Sequence, residues 1–217
     1  MKIALIGASG FVGSALLNEA IARGYNVTAI ARNVDKIKSE DKLVSKQKVD
    51  VFDIDLLVSV LKGHDAVVSA YNACWDNPNL YEDFIKGSEA IQSATKKAGV
   101  KRLLVVGGAG SLEIAPGVQL VDTPEFPAEY KEGATAARDY LNILKKETEL
   151  DWTFLSPAIQ MHPGITDGRT GKYRTALDNP VFDANNESRL SVEDLSVALL
   201  DELEQGRFIK KRFTAAY

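Results

Sequence analysis

Short apolar runs alternate with longer amphipathic segments along the chain. The first run, residues 3–6, is wholly apolar, which is typical of a strand buried on both faces. A helix ending at Ala22 should follow it, because apolar side chains then recur every three or four residues, at Phe11, Val12, Ala15, Leu16 and Ala20. Similar apolar runs predict further strands at 27–31, 48–51, 66–70, 102–106, 152–156 and 212–216. Similar amphipathic segments predict helices at 54–61, 80–98, 128–147 and 192–204.

This alternation predicts an α/β fold of the Rossmann type, a doubly wound and mainly parallel sheet in a three-layer αβα arrangement. Each crossover helix should pack against one face of the sheet. We interpret residues 1–217 as a single domain. Two long irregular stretches, 107–127 and 157–187, both follow the C-terminus of a predicted strand. Open α/β sheets bind their ligands at that edge, so we expect these stretches to form a small substrate-pocket region.

A glycine-rich segment, Gly-Ala-Ser-Gly-Phe-Val-Gly, joins the first strand to the first helix. Gly7 permits a tight turn, Gly10 lets the backbone approach a pyrophosphate, and Gly13 lets the helix pack close to the strand. The helix N-terminus adds free amides and partial positive charge, with contributions from the backbone of Ser9, Phe11 and Val12. A glycine turn without a ligand is the alternative. The position between a strand and an amphipathic helix favours dinucleotide binding.

The segment after the second strand bears on the choice between NAD and NADP. An acidic residue there would accept hydrogen bonds from the ribose hydroxyls of NAD. This chain has Arg32 and Asn33 instead, and a guanidinium suits a 2′-phosphate, so we expect NADP(H) to be preferred, with NAD(H) possible. An exposed loop arginine is the alternative. After the third strand, Asp50 and Val51 are placed to border the adenine, although a simple strand-to-helix turn is equally compatible.

Composition and charge narrow the class of partner. The chain has 26 basic and 30 acidic residues and a net charge of −4, so we expect no bulk attraction for nucleic acid or anionic membrane. No apolar stretch approaches the roughly 20 residues of a membrane span. The single cysteine, Cys74, excludes an internal disulfide and indicates a cytoplasmic protein. No residues have the spacing of metal ligands. We therefore expect a small-molecule substrate and a monomer or homodimer.

Further motifs extend the pattern over essentially the whole chain. They are Ala-Arg-Asn at 31–33, Asp-Val-Phe-Asp at 50–53, Val-Val-Gly-Gly-Ala-Gly-Ser at 105–111, Asp-Trp-Thr-Phe-Leu-Ser-Pro-Ala at 151–158 and Ser-Val-Glu-Asp-Leu-Ser at 191–196. Together with the glycine segment, they resemble the short-chain dehydrogenase/reductase superfamily. Among its atypical members, the resemblance is to the NmrA-like group often described as NADH-flavin reductases. The resemblance implies a Rossmann fold, a nicotinamide cofactor and a substrate pocket over the nicotinamide.

The resemblance also implies roles for the ends of the later strands. After strand four, Ala70, Tyr71 and Asn72 should line the ribose and pyrophosphate of the cofactor. After strands five and six, the residues expected near the nicotinamide and its ribose are Gly107, Gly108, Ala109, Ser156, Pro157 and Ala158. Each of them has the alternative reading of an ordinary loop at a strand end.

One departure from the superfamily pattern affects the expected chemistry. Catalytic members carry Tyr-x-x-x-Lys on the helix after strand five, but here Tyr130 is followed four residues later by Ala134 and Tyr140 by Leu144. A positioned acid contributes about 10²–10⁴-fold to reduction of a simple ketone. A flavin or quinone spreads the arriving charge over its rings and takes its proton from solvent. We therefore predict an NAD(P)H-dependent oxidoreductase that transfers hydride to a flavin- or quinone-like acceptor.

Two residues are candidates for contact with the substrate. Ser111 resembles the serine that holds a substrate oxygen in the superfamily, and His162 lies in a loop where it could donate a proton. Both have the alternative reading of an ordinary loop residue. A different class of function is a redox sensor that binds NAD(P) without turnover. A third, an epimerase or dehydratase, ranks last, because such enzymes are longer and keep the Tyr-Lys pair.

Overall fold

Ten strands and five α-helices make up the structure, a computed structural model that describes residues 1–217. The strands are β1 (Lys2–Ile6), β2 (Asn26–Ala31), β3 (Val44–Lys48), β4 (Ala66–Ser69), β5 (Arg102–Val106), β6 (Glu113–Ala115), β7 (Val118–Gln119), β8 (Asp151–Ser156), β9 (Arg174–Ala176) and β10 (Lys211–Ala216). The helices are α1 (Phe11–Ala22), α2 (Ile54–Leu61), α3 (Leu80–Lys97), α4 (Ala128–Leu144) and α5 (Val192–Gln205).

Eight of the strands form one sheet in the order β3-β2-β1-β4-β5-β8-β10-β9. Only β9 runs antiparallel to its neighbour, and β6 and β7 form a separate hairpin. Strands β2 and β3 lie on one side of β1, and β4 and the strands after it lie on the other side, so the strand order reverses between β1 and β4. The crevice at such a reversal is where sheets of this kind bind ligands. The predicted α/β fold of the Rossmann type is confirmed.

Apolar side chains fill both faces of the sheet. On one face, Leu16 of α1 belongs to the same buried cluster as Leu199 of α5. On the other face, Leu57 of α2, Ile91 of α3 and Leu141 of α4 share a second buried cluster. Burial on both faces explains why the central strands consist of continuous apolar runs. None of the helices is both long and apolar enough to cross a membrane.

The third strand lies four residues earlier than its apolar pattern predicts. Strand β3 is Val44–Lys48 rather than 48–51, and its sequence, Val-Ser-Lys-Gln-Lys, is mostly polar. It is an edge strand with one neighbour, so it needs few apolar side chains. Val49 and Val51 are buried because they follow the strand into the core, where they pack in the cluster that contains Leu57.

The two long stretches expected to be irregular contain short regular elements. The hairpin of β6 and β7 lies within residues 107–127, and β9 lies within residues 157–187. Helix α4 also ends at Leu144 rather than at residue 147. The amides of residues 145–147 donate to the carbonyl oxygens of Leu141, Ile143 and Leu144 and form a turn after the helix.

Candidate functional site

The glycine segment forms a turn between β1 and α1 that has no room for side chains at two positions. Gly7 has a φ of 81°, and a Cβ atom there would lie 2.5 Å from the carbonyl oxygen of Ala70. A Cβ atom at Gly13 would overlap the carbonyl oxygen of Gly7. At Gly10 a Cβ atom would lie 3.4 Å from that oxygen, an ordinary contact. Gly7 and Gly13 are therefore required by the packing of this turn, whereas Gly10 is not.

The turn leaves a group of backbone amides without acceptors. Gly10 is the N-cap of α1 and provides no side-chain cap, and the first amide bonded within the helix is that of Ser14, to the Gly10 carbonyl oxygen. Within the protein, no acceptor bonds the amides of Ser9, Phe11, Val12 and Gly13. Unpaired amides at a helix N-terminus carry partial positive charge and bind phosphate well. The chain therefore fits the pyrophosphate of a dinucleotide at this position.

Arg32 lies directly after β2, with an exposed side chain and no carboxylate partner. Its only hydrogen bond joins Nη2 to the Sγ atom of Cys74, at 3.2 Å. The neighbouring Asn33 is occupied differently, because its Oδ1 accepts from the amide of Asp35 and caps a short helical turn. The guanidinium of Arg32 is thus an uncompensated cation at the C-terminal end of β2.

Asp50 and Val51 lie in the turn between β3 and α2. Oδ1 of Asp50 accepts a hydrogen bond from the amide of Phe52, and the backbone oxygen of Asp50 accepts one from Asp53. Val51 is buried in the core beneath this turn. Asp50 therefore stays exposed at the same edge as Arg32, while Val51 has little surface left to offer an adenine ring.

The ends of β4 and β5 lie side by side, because Ser69 pairs with Val105 in the parallel ladder. Tyr71 turns away from this edge: its hydroxyl donates to the backbone oxygen of Asp83 at 2.9 Å, and burial raises the pKa of the phenol to about 12. Oδ1 of Asn72 accepts from the amide of Cys74. The Tyr71 side chain is therefore turned away from a ligand, whereas the exposed Asn72 keeps its Nδ2 donor free.

The residues expected near the nicotinamide are closely packed. A Cβ atom at Gly107 would overlap the ring of Phe154, and one at Gly108 would lie 3.3 Å from the Cβ of Ala137. Ser156, the last residue of β8, is fully buried, and so are Pro157 and Ala158 after it. These residues lie at the C-terminal edge of the sheet with the glycine turn, but any contact they make with a ligand would be through the backbone.

Ser111 is buried in a hydrogen-bond network and is not open to a substrate, as contact with a substrate oxygen would require. The residue is 1% exposed, and its Oγ lies 3.3 Å from Oγ of Ser156 and accepts from Nη1 of Arg212 at 3.2 Å. Arg212 in turn donates to Asp178 at 2.6 Å. This arrangement does not support direct contact between Ser111 and a substrate. The long-range partner Arg212 had no signal in the sequence, since it follows Ser111 by 101 residues.

His162 lies in an exposed turn after β8. Its Nδ1 accepts from the amide of Gly164 at 3.1 Å, and its carbonyl oxygen accepts from Ile165. These bonds give it a role in the turn, and none joins it to the residues at the ends of β4 and β5. No group of His, Cys, Asp and Glu side chains has the arrangement of a metal site.

Residues 7–203 match the NAD(P)H-binding protein family. The chain belongs to this family. The match spans the glycine turn, strands β2 to β9 and most of α5, so it confirms the resemblance drawn from the short motifs. Membership establishes that the cofactor is a nicotinamide dinucleotide. It also places the chain in an NAD(P)-binding oxidoreductase family.

Three solved structures are similar to this member of the family over its whole length. A Bacteroides thetaiotaomicron protein described as a "putative epimerase" is 49% identical, with a TM-score of 0.91 and coverage of 100% of this chain and 96% of its own. A Burkholderia pseudomallei "putative exported protein" is 43% identical, with a TM-score of 0.87 and full coverage of both chains. A Streptococcus pneumoniae "putative NADH-flavin reductase" is 38% identical, with a TM-score of 0.86 and coverage of 100% and 99%.

A cleft of about 330 Å³ lies along the outer side of α1. Its walls include Phe11 and Glu19 of α1, Arg169 of the segment after β8, and Glu193 of α5. Of the residues expected to bind the cofactor, only Phe11 borders it. The cleft therefore does not coincide with the NAD(P)H site indicated by the glycine turn.

Proposed function

We propose that this protein is an NAD(P)H-dependent oxidoreductase that reduces a small conjugated acceptor of the flavin or quinone type. The observation that carries the proposal is the turn at Gly7–Gly13, with its unpaired amides at the start of α1. When bound, the reduced nicotinamide supplies a hydride, and the acceptor takes its remaining proton from solvent. The chain binds the dinucleotide along the C-terminal edge of the sheet and orients it toward the ends of β4 and β5.

We further propose that NADPH is preferred over NADH. Arg32 supports this preference, because its guanidinium is exposed, carries no salt bridge and directly follows β2, the strand end at which Rossmann folds contact the adenosine ribose. A guanidinium forms paired, charge-assisted hydrogen bonds with phosphate. No acidic residue occupies the corresponding position, where NAD-specific proteins bind the ribose hydroxyls.

The side chains of α4 support a conjugated acceptor rather than a simple ketone. Tyr140 is completely enclosed in the core, and the residue one turn further on is Leu144. Tyr130 is exposed but has Ala134 at the position of the lysine. No tyrosine with a lysine one turn later is therefore available to protonate an alkoxide. The similar Streptococcus pneumoniae protein is described as a "putative NADH-flavin reductase", which agrees with a flavin-type acceptor.

A redox sensor that binds NAD(P)H without turnover is the second candidate. It is favoured by the same lack of a proton donor and by the burial of Ser111, which leaves no side chain poised on a substrate oxygen. The two candidates differ in one measurable respect. A reductase oxidises NADPH continuously when FMN, riboflavin or a quinone is added, whereas a sensor binds NADPH and consumes none.

Thermal unfolding with NADPH, NADH and no ligand tests the cofactor site. A ligand at 100 times its dissociation constant stabilises by about 2.7 kcal/mol, a rise of a few degrees in Tm for a chain of this size. We expect NADPH to protect more than NADH, and Arg32→Asp to reverse that order. Lys62→Asp, at the exposed C-cap of α2, is the matched control and should leave both shifts unchanged. Equal protection by both dinucleotides would contradict the preference.

A cytoplasmic location is also part of the proposal. It is supported by the single cysteine, Cys74, which is exposed and free. The similar Burkholderia pseudomallei protein is described as a "putative exported protein", which supports the opposite location. Fractionation of the native host, with detection of this protein by a specific antibody, decides between the two.

A further inference from the structure

Two exposed aromatic side chains, Trp75 and Tyr130, contact each other at the C-terminal edge of the sheet. Their ring centroids lie 5.5 Å apart and their planes meet at 81°, an edge-to-face arrangement. Trp75 is 57% exposed and Tyr130 is 51% exposed. Other large rings of this chain are exposed singly, but these two are in contact and form a continuous apolar patch, the kind of surface that binds ligands.

The loop after β4 holds Trp75 in this outward position. The preceding residue, Cys74, has a φ of 75°, in the left-handed region that side-chain-bearing residues seldom adopt. Oδ1 of Asn72 accepts from the amide of Cys74 at 2.7 Å, and the amide of Asn77 donates to the carbonyl oxygen of Cys74 at 3.2 Å. Strain of this kind persists only where surrounding contacts enforce it, and it is common in segments that hold ligands.

Helix α4 supports the indole from behind. A Cβ atom at Gly133 would lie 2.7 Å from Cζ3 of Trp75, so the ring rests against the helix backbone at this glycine. Tyr130 lies in the first turn of the same helix, and its hydroxyl has no hydrogen-bonding partner in the protein. The two rings are therefore fixed in place, while their outer surfaces and one hydroxyl are free.

The position of the pair follows from the topology of the sheet. Trp75 lies on the connection that leaves β4, and Tyr130 lies at the end of the connection that leaves β5. Strands β4 and β5 are neighbours, so the rings bridge two adjacent connections at the edge where the cofactor-binding backbone is expected.

From this geometry we infer that Trp75 and Tyr130 form an aromatic platform for the planar ring system of the acceptor. Because the two planes meet at 81°, the acceptor stacks on the outer face of Trp75 and meets Tyr130 edge to face. The inference rests on the proposed function and names the class of acceptor: a fused, conjugated ring such as isoalloxazine or naphthoquinone. Aromatic faces attract another flat π system, and stacking on them is tolerant of ring substituents. A protein partner is a poor fit, because a stable interface buries about 800 Å² on each side, far more than two rings provide.

Acceptor binding can be measured without turnover, since saturating NADP⁺ fills the cofactor site and carries no hydride. We expect riboflavin, followed by its fluorescence anisotropy, to bind the wild-type protein saturably. Trp75→Ala should weaken the riboflavin Kd by about tenfold, the effect of losing a stacked ring. Tyr130→Ala should weaken it by about threefold, the effect of losing an edge-to-face contact. Trp75→Phe keeps a ring and should stay within about threefold of wild type. Phe182→Ala removes another exposed ring, 40% exposed, and is the matched control expected to change nothing.

The tryptophan emission gives a second readout. The only other tryptophan, Trp152, is 2% exposed and donates to the backbone oxygen of Glu147. Protein with Trp75→Phe therefore reports Trp152 alone, and subtracting its response isolates quenching of Trp75. We expect this difference to saturate at the same riboflavin concentration as the anisotropy.

Two results would overturn the platform. One is an unchanged riboflavin Kd in both alanine variants, and the other is a Trp75 difference signal that rises linearly without saturation. If either occurs while NADPH still protects against thermal unfolding and riboflavin still supports NADPH oxidation, the proposed function stands and only the platform fails. Loss of NADPH protection in the wild-type protein would instead remove the proposed function, and with it the acceptor class assigned to the two rings.

Discussion

Arg169, in the segment between β8 and β9, donates two hydrogen bonds to the carboxylate of Glu19 on α1. They join Nε to Oε2 at 2.7 Å and Nη2 to Oε1 at 3.0 Å. Arg23 also donates to Oε1 of Glu19, at 2.8 Å. The segment that the sequence assigns to the substrate pocket is thus fastened to the helix whose N-terminus is assigned to the cofactor. Glu19 is almost completely buried, so the pairing keeps a buried carboxylate compensated.

Arg169→Ala should therefore destabilise the protein by about 1–2 kcal/mol at pH 7, measured by urea unfolding, with Arg23 preventing a larger loss. Burial alone would raise the pKa of Glu19, but the bonds from Arg169 and Arg23 outweigh it and lower the pKa. A lowered pKa stabilises above the unfolded value near 4.5, and that stability is lost as the pH falls through the folded value. The gap between wild type and variant should shrink below that pH. Lys172→Ala, in the same segment, is the control expected to match wild type.

Substitutions at Gly13 and Gly10 can distinguish the packing of the glycine turn from its binding of the cofactor. Gly13→Ala should destabilise the protein by at least about 2 kcal/mol, because the new Cβ would overlap the Gly7 carbonyl oxygen inside the packed turn. Gly10→Ala should cost at most about 1 kcal/mol, the loss of glycine at an N-cap, since its Cβ would make only a 3.4 Å contact and its φ of −84° suits alanine. It should nevertheless weaken protection by NADPH, because the methyl group occupies the approach of the pyrophosphate. Full NADPH protection in Gly10→Ala would argue against binding at this turn.

Local signals explain which elements the sequence predicted well. The predicted limits of β5 and α2 agree with the structure, because one is a continuous apolar run and the other begins at Asp53, whose Oδ1 accepts from the amide of Leu56. Strand β3 was misplaced because its polar edge sequence resembles a loop, whereas Val49 and Val51 beyond it are buried. Burial past the end of a strand depends on the next helix, so no local pattern shows it.

The sequence predicted the backbone segments of the candidate site but not its side-chain contacts. Glycines and strand ends carry local signals, and they fall along one edge as expected. The surroundings of Ser111 depend on Arg212 and Asp178, which meet it only through the register of β10 and the path of the segment before it. The contact between Trp75 and Tyr130 likewise depends on how α4 packs beside the β4 connection. Such contacts between distant segments have no periodicity to reveal them.

The close packing of Gly107 against Phe154 gives a test by paired substitution. Gly107→Ala should destabilise the protein by about 2–3 kcal/mol, because its Cβ would overlap the phenyl ring. Phe154→Leu alone should cost about 1–2 kcal/mol through lost packing. The double variant should be clearly more stable than the sum of the two losses predicts, since leucine leaves room for the added methyl group. Additive losses in urea unfolding would show that the ring is not what excludes a side chain at residue 107.

Glu147, in the turn after α4, is a carboxylate whose ionisation should stabilise the protein. Its oxygens accept from Nε2 of Gln92 at 2.7 Å and from the amide of Glu149 at 2.6 Å, and Nζ of Lys96 lies 3.0 Å away. Burial alone would raise the pKa of Glu147, but these three donors together lower it to about 2. The ionised form therefore ties the C-terminal end of α4 to α3.

Glu147→Gln should lower the free energy of unfolding at pH 7 by about 2 kcal/mol, because a neutral amide cannot accept three charge-assisted bonds. The wild-type advantage should be complete above pH 4.5, the unfolded value, and should disappear as the pH falls toward 2, where the folded carboxyl takes up its proton. Urea unfolding across this range measures it. Glu149→Gln, exposed and 3.3 Å from the same Lys96, is the control and should cost much less. A constant difference between wild type and Glu147→Gln at every pH would mean that charge is not the source of the stabilisation.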